Sequence, residues 1–365
     1  MRSVMEAIRS HPRLSLQLVA TGMHLDPAHG DGLADIAAQG FTVDATVPWA
    51  VASGASPSVN AINTGQAIVE LVEAFDRLGP DVVLVVGDRV EALAAAVAAH
   101  VSHRPLAHVH GGDRALGQID DSLRHAITKL AHVHFPATAQ SARRIIRLGE
   151  EAGRVHRVGS PGIDGIEEMA ATPAQLSAQF PTLAAKRFAL LVLHPVDADD
   201  AVERRRAALV LDAVRRVPFE QTVVVFPNND PGCRGIVRCW EEHEGRPAVV
   251  FRRNLARPLF LGLMRGAAVL VGNSSSGIIE AASFGTPVLD IGRRQLGRER
   301  GANVVHCDYD AAVIERALRT VWNGGRPRRV RCGNVYGAGD AGRRTADILA
   351  RVRIDQNILG KLIRY

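Results

Sequence analysis

Ala267-Ala-Val-Leu-Val-Gly-Asn-Ser-Ser-Ser-Gly-Ile-Ile-Glu280-Ala-Ala-Ser-Phe284 decides the fold class. The apolar run to Val271 reads as a buried strand, and Gly277 to Phe284 as a helix. The small, hydroxyl-rich turn between them aims free backbone N–H groups and the positive end of a helix dipole at one point. Such a turn binds anions, and Gly272 and Gly277 would let the backbone come close to a ligand. Glu280, one turn inside the helix, could accept hydrogen bonds from hydroxyls, so a ligand with a phosphate and a sugar is expected. An ordinary βα unit with an N-capping Ser gives the same pattern.

Outward from this unit, strand and helix alternate along most of the chain. Strands are expected at 14–21, 81–88, 105–110, 131–135 and 155–158, then at 188–193, 222–226, 248–251, 268–271, 287–291 and 304–306. Helices are expected at 61–78, 91–100, 120–130, 138–148, 200–215, 233–243, 256–265, 310–322 and 342–352. Residues 23–30 read as a turn-rich loop. Continuous apolar strands such as Asp81-Val-Val-Leu-Val-Val-Gly-Asp88 belong to parallel sheets covered on both faces. The expectation is an α/β fold of two Rossmann-like parallel-sheet domains, 1–165 and 166–341, with 342–365 crossing back to the first. The chain opens inside a helix, Val4 to Ile8, where an α/β domain normally opens on a strand. Either the helix-first opening is genuine, or a strand and its loop are missing upstream.

The 365 residues and 47% hydrophobic content suit a soluble protein of two cores. No apolar run is long enough for a membrane helix, and the charged N-terminus is not a signal peptide. Cys233, Cys239, Cys307 and Cys332 form no C-x-x-C pair and read as reduced cytoplasmic thiols. Lysine occurs only at 129, 186 and 361, so 41 of the 44 cations are arginine, spread along the chain. With 4% aromatics and no basic stripe, the net charge of +6 does not point to nucleic acid. An anionic small substrate is compatible with it.

The polar residues that could do chemistry fall at the C-terminal ends of strands in both domains: Asp88, His110 to Asp113, His194, Asn228 to Asp230, and Asn273 to Glu280. Asp88 reads as a cleft acid or base, or as a helix cap. Gly111-Gly112 forms a tight turn that would expose Asp113. Asp120 and Asp121 open a helix, with Arg124 one turn on. They suit the helix dipole, or one of them joins Asp88 and Asp113 in a carboxylate cluster whose repulsion makes one member a general acid. His108 and His110 share a strand face, but two ligands are not a metal site. His194, just before Pro195, could be the cation that steadies a departing phosphate.

These motifs carry a resemblance. His110-Gly-Gly-Asp113, Gly117-Gln-Ile-Asp-Asp-Ser-Leu-Arg-His-Ala-Ile-Thr-Lys-Leu-Ala-His132, Gly272 to Ala281, Ile291-Gly-Arg-Arg-Gln-Leu-Gly-Arg298 and Tyr336-Gly-Ala-Gly339 together resemble the hydrolysing UDP-N-acetylglucosamine 2-epimerases over nearly the whole chain. The resemblance implies a two-domain GT-B fold. It implies conversion of UDP-N-acetylglucosamine and water to N-acetylmannosamine and UDP, for sialic-acid synthesis, or the same reaction on a UDP-diacetamido-trideoxy sugar. It implies elimination to a 2-acetamidoglucal and then addition of water, without metal or nicotinamide. Asp88, Asp113 and Asp120 or Asp121 would be the acid–base set, and His194 would meet the diphosphate. Ser274, Ser275, Ser276 and Gly277 would cradle it, Glu280 would bind ribose, and Asn228 lies with them. Arg124 and Arg298 would contact phosphate or order the carboxylates. A homo-oligomer, dimer or tetramer, is expected.

Two departures stand out. The family usually has Glu where this chain has Asp113, which retracts the carboxylate by one C–C bond. Relatives also begin with a strand and a Gly-Thr-Arg-type loop, so the resemblance implies that the first strand of the N-terminal domain is lacking here and that Met1 is an internal methionine of a longer protein. The competing readings are a UDP-sugar glycosyltransferase, a non-hydrolysing epimerase, and a UDP-sugar binder without turnover.

Overall fold

The computed structural model describes residues 1–25, 31–49, 57–114, 119–183, 187–228 and 230–364. It falls into two compact units, Met1–Pro161 with Asp340–Tyr365, and Gly162–Gly339. The segment after Gly339 thus rejoins the first unit, where helix Ala341–Leu349 packs on helix Arg2–Ser10. That contact is close, because a Cβ at Gly342 would lie 2.5 Å from the Ser3 carbonyl oxygen.

Among its described residues unit 1 has five strands, β1 (Val19–Thr21), β2 (Ala45–Val47), β3 (Val83–Val86), β4 (Leu106–Val109) and β5 (Val133–Phe135), each paired in parallel with its neighbours. They form two sheets, β1-β2 and β3-β4-β5. Among the described residues no backbone hydrogen bond joins β1 to β3, although Val19 packs on the core that holds Val83 and Val85. The two sheets share one hydrophobic core. Helices Pro57–Leu78 and Val90–Val101 cover one face, with Ala67, Leu71, Ala94 and Ala98 buried against the strands. The long strand expected at 14–21 shrinks to three residues, and the one expected at 155–158 to a single bridge, His134 to Val155. β2 and helix Gly32–Ala38, of three and seven residues, are too short for a periodicity to show. Residues 26–30 of the expected loop lie outside the described residues.

Unit 2 holds one six-stranded parallel sheet, ordered β11-β10-β9-β6-β7-β8. The strands are β6 (Phe188–Val192), β7 (Gln221–Val225), β8 (Val249–Arg252), β9 (Val269–Gly272), β10 (Val288–Ile291) and β11 (Val304–Cys307). Side chains alternate across the pleat. Ala189, Leu191 and Leu193 enter one core, and Phe188, Leu190 and Val192 the other. That double burial is why the strands read as unbroken apolar runs.

Two structural details correct the reading of the anion turn. The helix begins earlier and is short, Ser275–Ile279, and a 3₁₀ turn, Ala281–Phe284, follows. The glycines serve packing. Gly272 has φ +128°, and a Cβ there would lie 2.0 Å from the Val192 carbonyl oxygen on β6. At Gly277 a Cβ would meet Val288 at 3.0 Å and Leu270 at 3.2 Å. Close strand and helix approach requires both glycines.

His108 lies inside β4 with no exposure. Its Nε2 bonds to the Gly87 carbonyl (2.8 Å) and its Nδ1 to the Thr128 hydroxyl (3.3 Å), so it ties β3 to helix Ile119–Leu130. Burial pushes its pKa down to about 3. No group of three or more metal-ligating side chains gathers among the described residues.

Two outcomes follow from the packing. Gly272→Ala should lower stability in urea unfolding by roughly 2–5 kcal/mol, from forced backbone displacement and left-handed strain. Gly153→Ala, where a Cβ meets nothing within 4 Å, is its control, and equal stability of the two would refute the packing account. His108 stays neutral in the folded chain down to about pH 3, whereas the unfolded chain protonates it near 6.5. Its contribution to stability is complete above pH 6.5 and lost as pH falls toward 3, at a slope of about 1.4 kcal/mol per pH unit. His108→Asn should flatten the acid limb of a stability–pH curve by that one proton.

Candidate active site

In unit 1 the site is built around Arg124, 2% exposed, on helix Ile119–Leu130. A guanidinium so buried needs carboxylates and carbonyls around it. One terminal nitrogen pairs with Asp88 Oδ2. The other reaches Asp121 Oδ1 (3.2 Å) and the backbone carbonyl of Asp113 (3.1 Å). Of the expected roles for Arg124, the geometry gives the ordering of carboxylates. The expected mutual repulsion among them is offset by this cation. Asp88 follows β3 and Gly87, and Arg89, not Asp88, takes the N-cap position of the next helix. The Asp88 and Asp121 side chains keep 25% and 26% exposure. The side chain of Asp120 lies outside the described residues.

Asp113 is held more tightly. Ser141 donates its hydroxyl to Oδ1 (2.7 Å), and His110 Nδ1 meets Oδ2 (3.2 Å). His110 Nε2 in turn meets Ser160 Oγ (3.1 Å). The turn that allows this is compact: a Cβ at Gly112 would lie 2.4 Å from the Ser141 carbonyl oxygen, and Arg144 bonds to the Gly112 carbonyl. His110 sits at φ 64°, a left-handed conformation that costs a non-glycine residue energy. Strain of that kind persists where surrounding contacts over-determine it. The shorter side chain at 113 therefore has its carboxylate fixed by Ser141 and His110, neither of which sequence reading assigned to it.

In unit 2 the organising group is Asn273, fully buried after β9. Its side-chain oxygen accepts the His194 N–H (2.7 Å), and its NH₂ donates to the His194 carbonyl (2.8 Å). This clamp joins the ends of β9 and β6. The Asn273 carbonyl accepts from Gln295 (2.9 Å) and Arg294 (3.4 Å), so the turn at 293–295 locks onto the anion turn. His194 Nδ1 accepts the Asn228 backbone N–H (3.1 Å), which leaves the proton on Nε2. Burial, and then the charge of Arg294, push its pKa down to about 4. At neutral pH His194 is a neutral N–H donor, which corrects the expected cation. Asn228 also bonds Asp230 (2.6 Å), and Asp230 lies 3.5 Å from Arg294.

Ser274 caps helix Ser275–Ile279, accepting the Ser276 N–H at 3.4 Å, while Ser275 and Ser276 are partly exposed beside the buried Gly277. Glu280 ends that helix, with Oε1 on Arg257 (3.0 Å) and Oε2 buried without a partner. Burial raises its pKa against the opposing pull of Arg257. An orphaned buried carboxylate oxygen suits a ligand that brings hydroxyl donors. Arg298 follows the 293–295 turn, and its Nε is buried without a partner. Glu203 holds the loop after His194, accepting the N–H groups of Val196 (3.1 Å) and Asp197 (2.9 Å). Asn273, Arg294, Gln295 and Arg257 act through contacts distant in sequence. Asn273 lies inside the anion turn and Arg294 and Gln295 inside the 291–298 motif, whereas Arg257 and Glu203 had no local signal.

Comparison with known proteins identifies the family. Residues 6–350 match the family model described as UDP-N-acetylglucosamine 2-epimerase. The chain is 35% identical over 367 residues to the UDP-N,N'-diacetylbacillosamine 2-epimerase (hydrolyzing) of Legionella pneumophila, covering 100% of this chain and 96% of that protein. It is 29% identical to the UDP-N-acetylglucosamine 2-epimerase of Neisseria meningitidis, over 87% of this chain and 83% of that one. The crystal structure of UDP-GlcNAc 2-epimerase from Neisseria meningitidis bound to UDP-GlcNAc superposes with a TM-score of 0.81, at 18% identity and covering 96% of each chain. The Methanocaldococcus jannaschii enzyme in complex with UDP-GlcNAc and UDP gives a TM-score of 0.78 at 17% identity, again over 96% of each chain, and both likenesses are of fold. With a family model matched over nearly the whole chain and a relative 35% identical along all of it, this chain belongs to the UDP-N-acetylglucosamine 2-epimerase family.

Proposed function

We propose that this chain is a hydrolysing 2-epimerase of a UDP-2-acetamido sugar, releasing UDP and the free 2-epimer. The observation that carries the reading is the gathering of Asp88 and Asp121 on the buried Arg124. Elimination followed by hydration needs a base and an acid around one sugar ring. A carboxylate takes the C2 proton, the C2–H electrons form the C1=C2 bond, and the C1–O bond breaks with UDP leaving. Water then adds its oxygen to C1, and a proton returns to C2 with inverted configuration. Asp88, Asp113 and Asp121 form the acid–base set, with Asp113 the most firmly oriented. Unit 2 takes the nucleotide. Ser274 to Gly277 receive the diphosphate, the His194 Nε2–H donates to it, and Glu280 Oε2 accepts from ribose. Arg298, with its unpartnered Nε, is a further phosphate contact.

UDP-N-acetylglucosamine is the substrate read from the sequence. N-acetylmannosamine would then feed sialic-acid synthesis, in a cytoplasm that keeps the four free cysteines reduced, with the enzyme acting as a homo-oligomer. The higher identity and full coverage of the Legionella relative favour UDP-N,N'-diacetylbacillosamine as a second reading.

Incubation with each sugar in heavy water, followed by proton NMR, tests both. Free UDP and a 2-epimer deuterated at C2 are expected from one of them. UDP left attached to the epimerised sugar, or transfer to an acceptor, would overturn the hydrolytic reading. Asp88→Asn should lower kcat by about 10²–10⁴ with UDP affinity unchanged, as loss of a proton-transfer group does. Glu280→Ala should weaken UDP binding in calorimetry about ten- to a hundredfold, the scale of a hydrogen bond to a charged group. A Glu280→Ala variant that binds UDP at full strength would remove the ribose assignment.

A further inference from the structure

A second constellation lies at the other end of the unit 1 strands. His132 immediately precedes β5, whereas the site residues follow the C-terminal ends of their strands. His132 is 1% exposed. Its Nδ1 accepts the Leu106 N–H (3.0 Å), which fixes the proton on Nε2. Among the described residues no acceptor meets that N–H. The ring stacks on His100 with centroids 5.3 Å apart. An oriented N–H with no protein acceptor is free to donate to a ligand.

His132 borders a cavity of about 510 Å³, in the range of small-molecule sites and far larger than one ion needs. His132, Arg154 and His156 form one side, and Arg351, Arg353 and Ile358 of the C-terminal segment the other. Arg154 is committed to the wall itself. It donates to the carbonyls of Ile358 (2.7 Å), Asn357 (3.0 Å) and Gly360 (3.0 Å) and pairs with Glu151. Asp355, the carboxylate on the lining, caps the Asn357 N–H at 2.9 Å. Arg351 and Arg353 are exposed and have no carboxylate partner among the described residues. The lining therefore offers two uncommitted guanidinium groups and a fixed imidazole N–H, while its carboxylate is engaged by the backbone.

We propose that this cavity binds a small metabolite bearing a dianionic oxyanion group, a phosphate ester or a polycarboxylate. Arg351 and Arg353 supply charge, His132 Nε2–H supplies an oriented donor, and the His156 ring and Ile358 line the body of the pocket. Planar guanidinium forks suit either oxyanion. One wall is the C-terminal segment, so occupancy holds that segment against unit 1 and suppresses its local opening.

Hydrogen exchange of the full chain tests this without reference to turnover. Inorganic phosphate and citrate are titrated separately at constant ionic strength, and protection is read in 348–360 and in 270–280. Saturable protection of 348–360 is expected. A response to phosphate alone assigns phosphate esters, and one to citrate alone assigns polycarboxylates. In Arg351→Ala/Arg353→Ala the midpoint should rise at least tenfold, while UDP still protects 270–280 as in the parent chain. His132→Gln, whose amide oxygen can still accept the Leu106 N–H, should weaken the response as well. No protection by either anion, or protection unchanged in the double variant, would overturn the proposal.

Discussion

The burial of Arg124 is the constraint on which unit 1's chemistry depends. Its position on helix Ile119–Leu130 places the guanidinium beneath the ends of β3 and β4, away from water. A cation there is tolerable only if paired, and its partners are Asp88 after β3, Asp121 on its own helix, and the backbone at Asp113 after β4. The pairing that satisfies the cation is therefore also what assembles the carboxylates. Substituting either carboxylate leaves the guanidinium short of a partner, so stability and chemistry at this point are not separable. Arginine suits the place because its fork serves several acceptors in different directions at once.

Unit 2 reaches the same end with a neutral group. An amide clamp needs no counter-charge, and Asn273 can grip both backbone groups of His194 from full burial. This fixes one imidazole against the anion turn. With Nδ1 engaged by the Asn228 N–H and burial holding the ring neutral, Nε2–H is a donor of set direction. In the proposed reaction such a preorganised neutral donor would stabilise developing negative charge on the leaving diphosphate without first having to be desolvated as an ion. Glu280 is the counterpart. Its buried, unmatched oxygen is an acceptor kept open by the short helix that ends at it.

Much of this was legible in the chain because strand ends are where polar residues break apolar runs. Asp88, Asp113, His194 and the Asn273–Glu280 turn all announce themselves that way. The six strands of unit 2 were legible for a related reason, since burial on both faces leaves uninterrupted Val, Leu and Ile. What sequence did not disclose depends on contacts between distant residues. Ser141 and Ser160 meet the His110–Asp113 pair from 28 and 50 residues away along the chain. The charge state of His194 depends on its burial, and the purpose of Gly272 on a carbonyl of β6. Local spacing carries no record of either. Short, half-polar elements such as β2 lacked the length for periodicity to show.

The discontinuity of unit 1 has a physical cause that the composition makes visible. Of three lysines in the chain, two meet at one carboxylate, in a sequence that otherwise uses arginine. Glu150 is buried, and it takes Lys129 (2.5 Å), Lys361 (2.8 Å) and His134 (3.1 Å). These partners hold its pKa down to about 2, against the opposing effect of burial. Lys361 also donates to the carbonyls of Lys129 and Ala131, so its ammonium serves three acceptors spread in three directions. A tetrahedral ammonium on a flexible stem meets that demand, and a planar guanidinium of fixed fork does not. The tail is thereby held to a carboxylate that would be unfavourable to bury alone. Returning the chain end to unit 1 is what completes the pairing of Glu150, and the residues held in place on the way, 348–358, form the wall that faces His132.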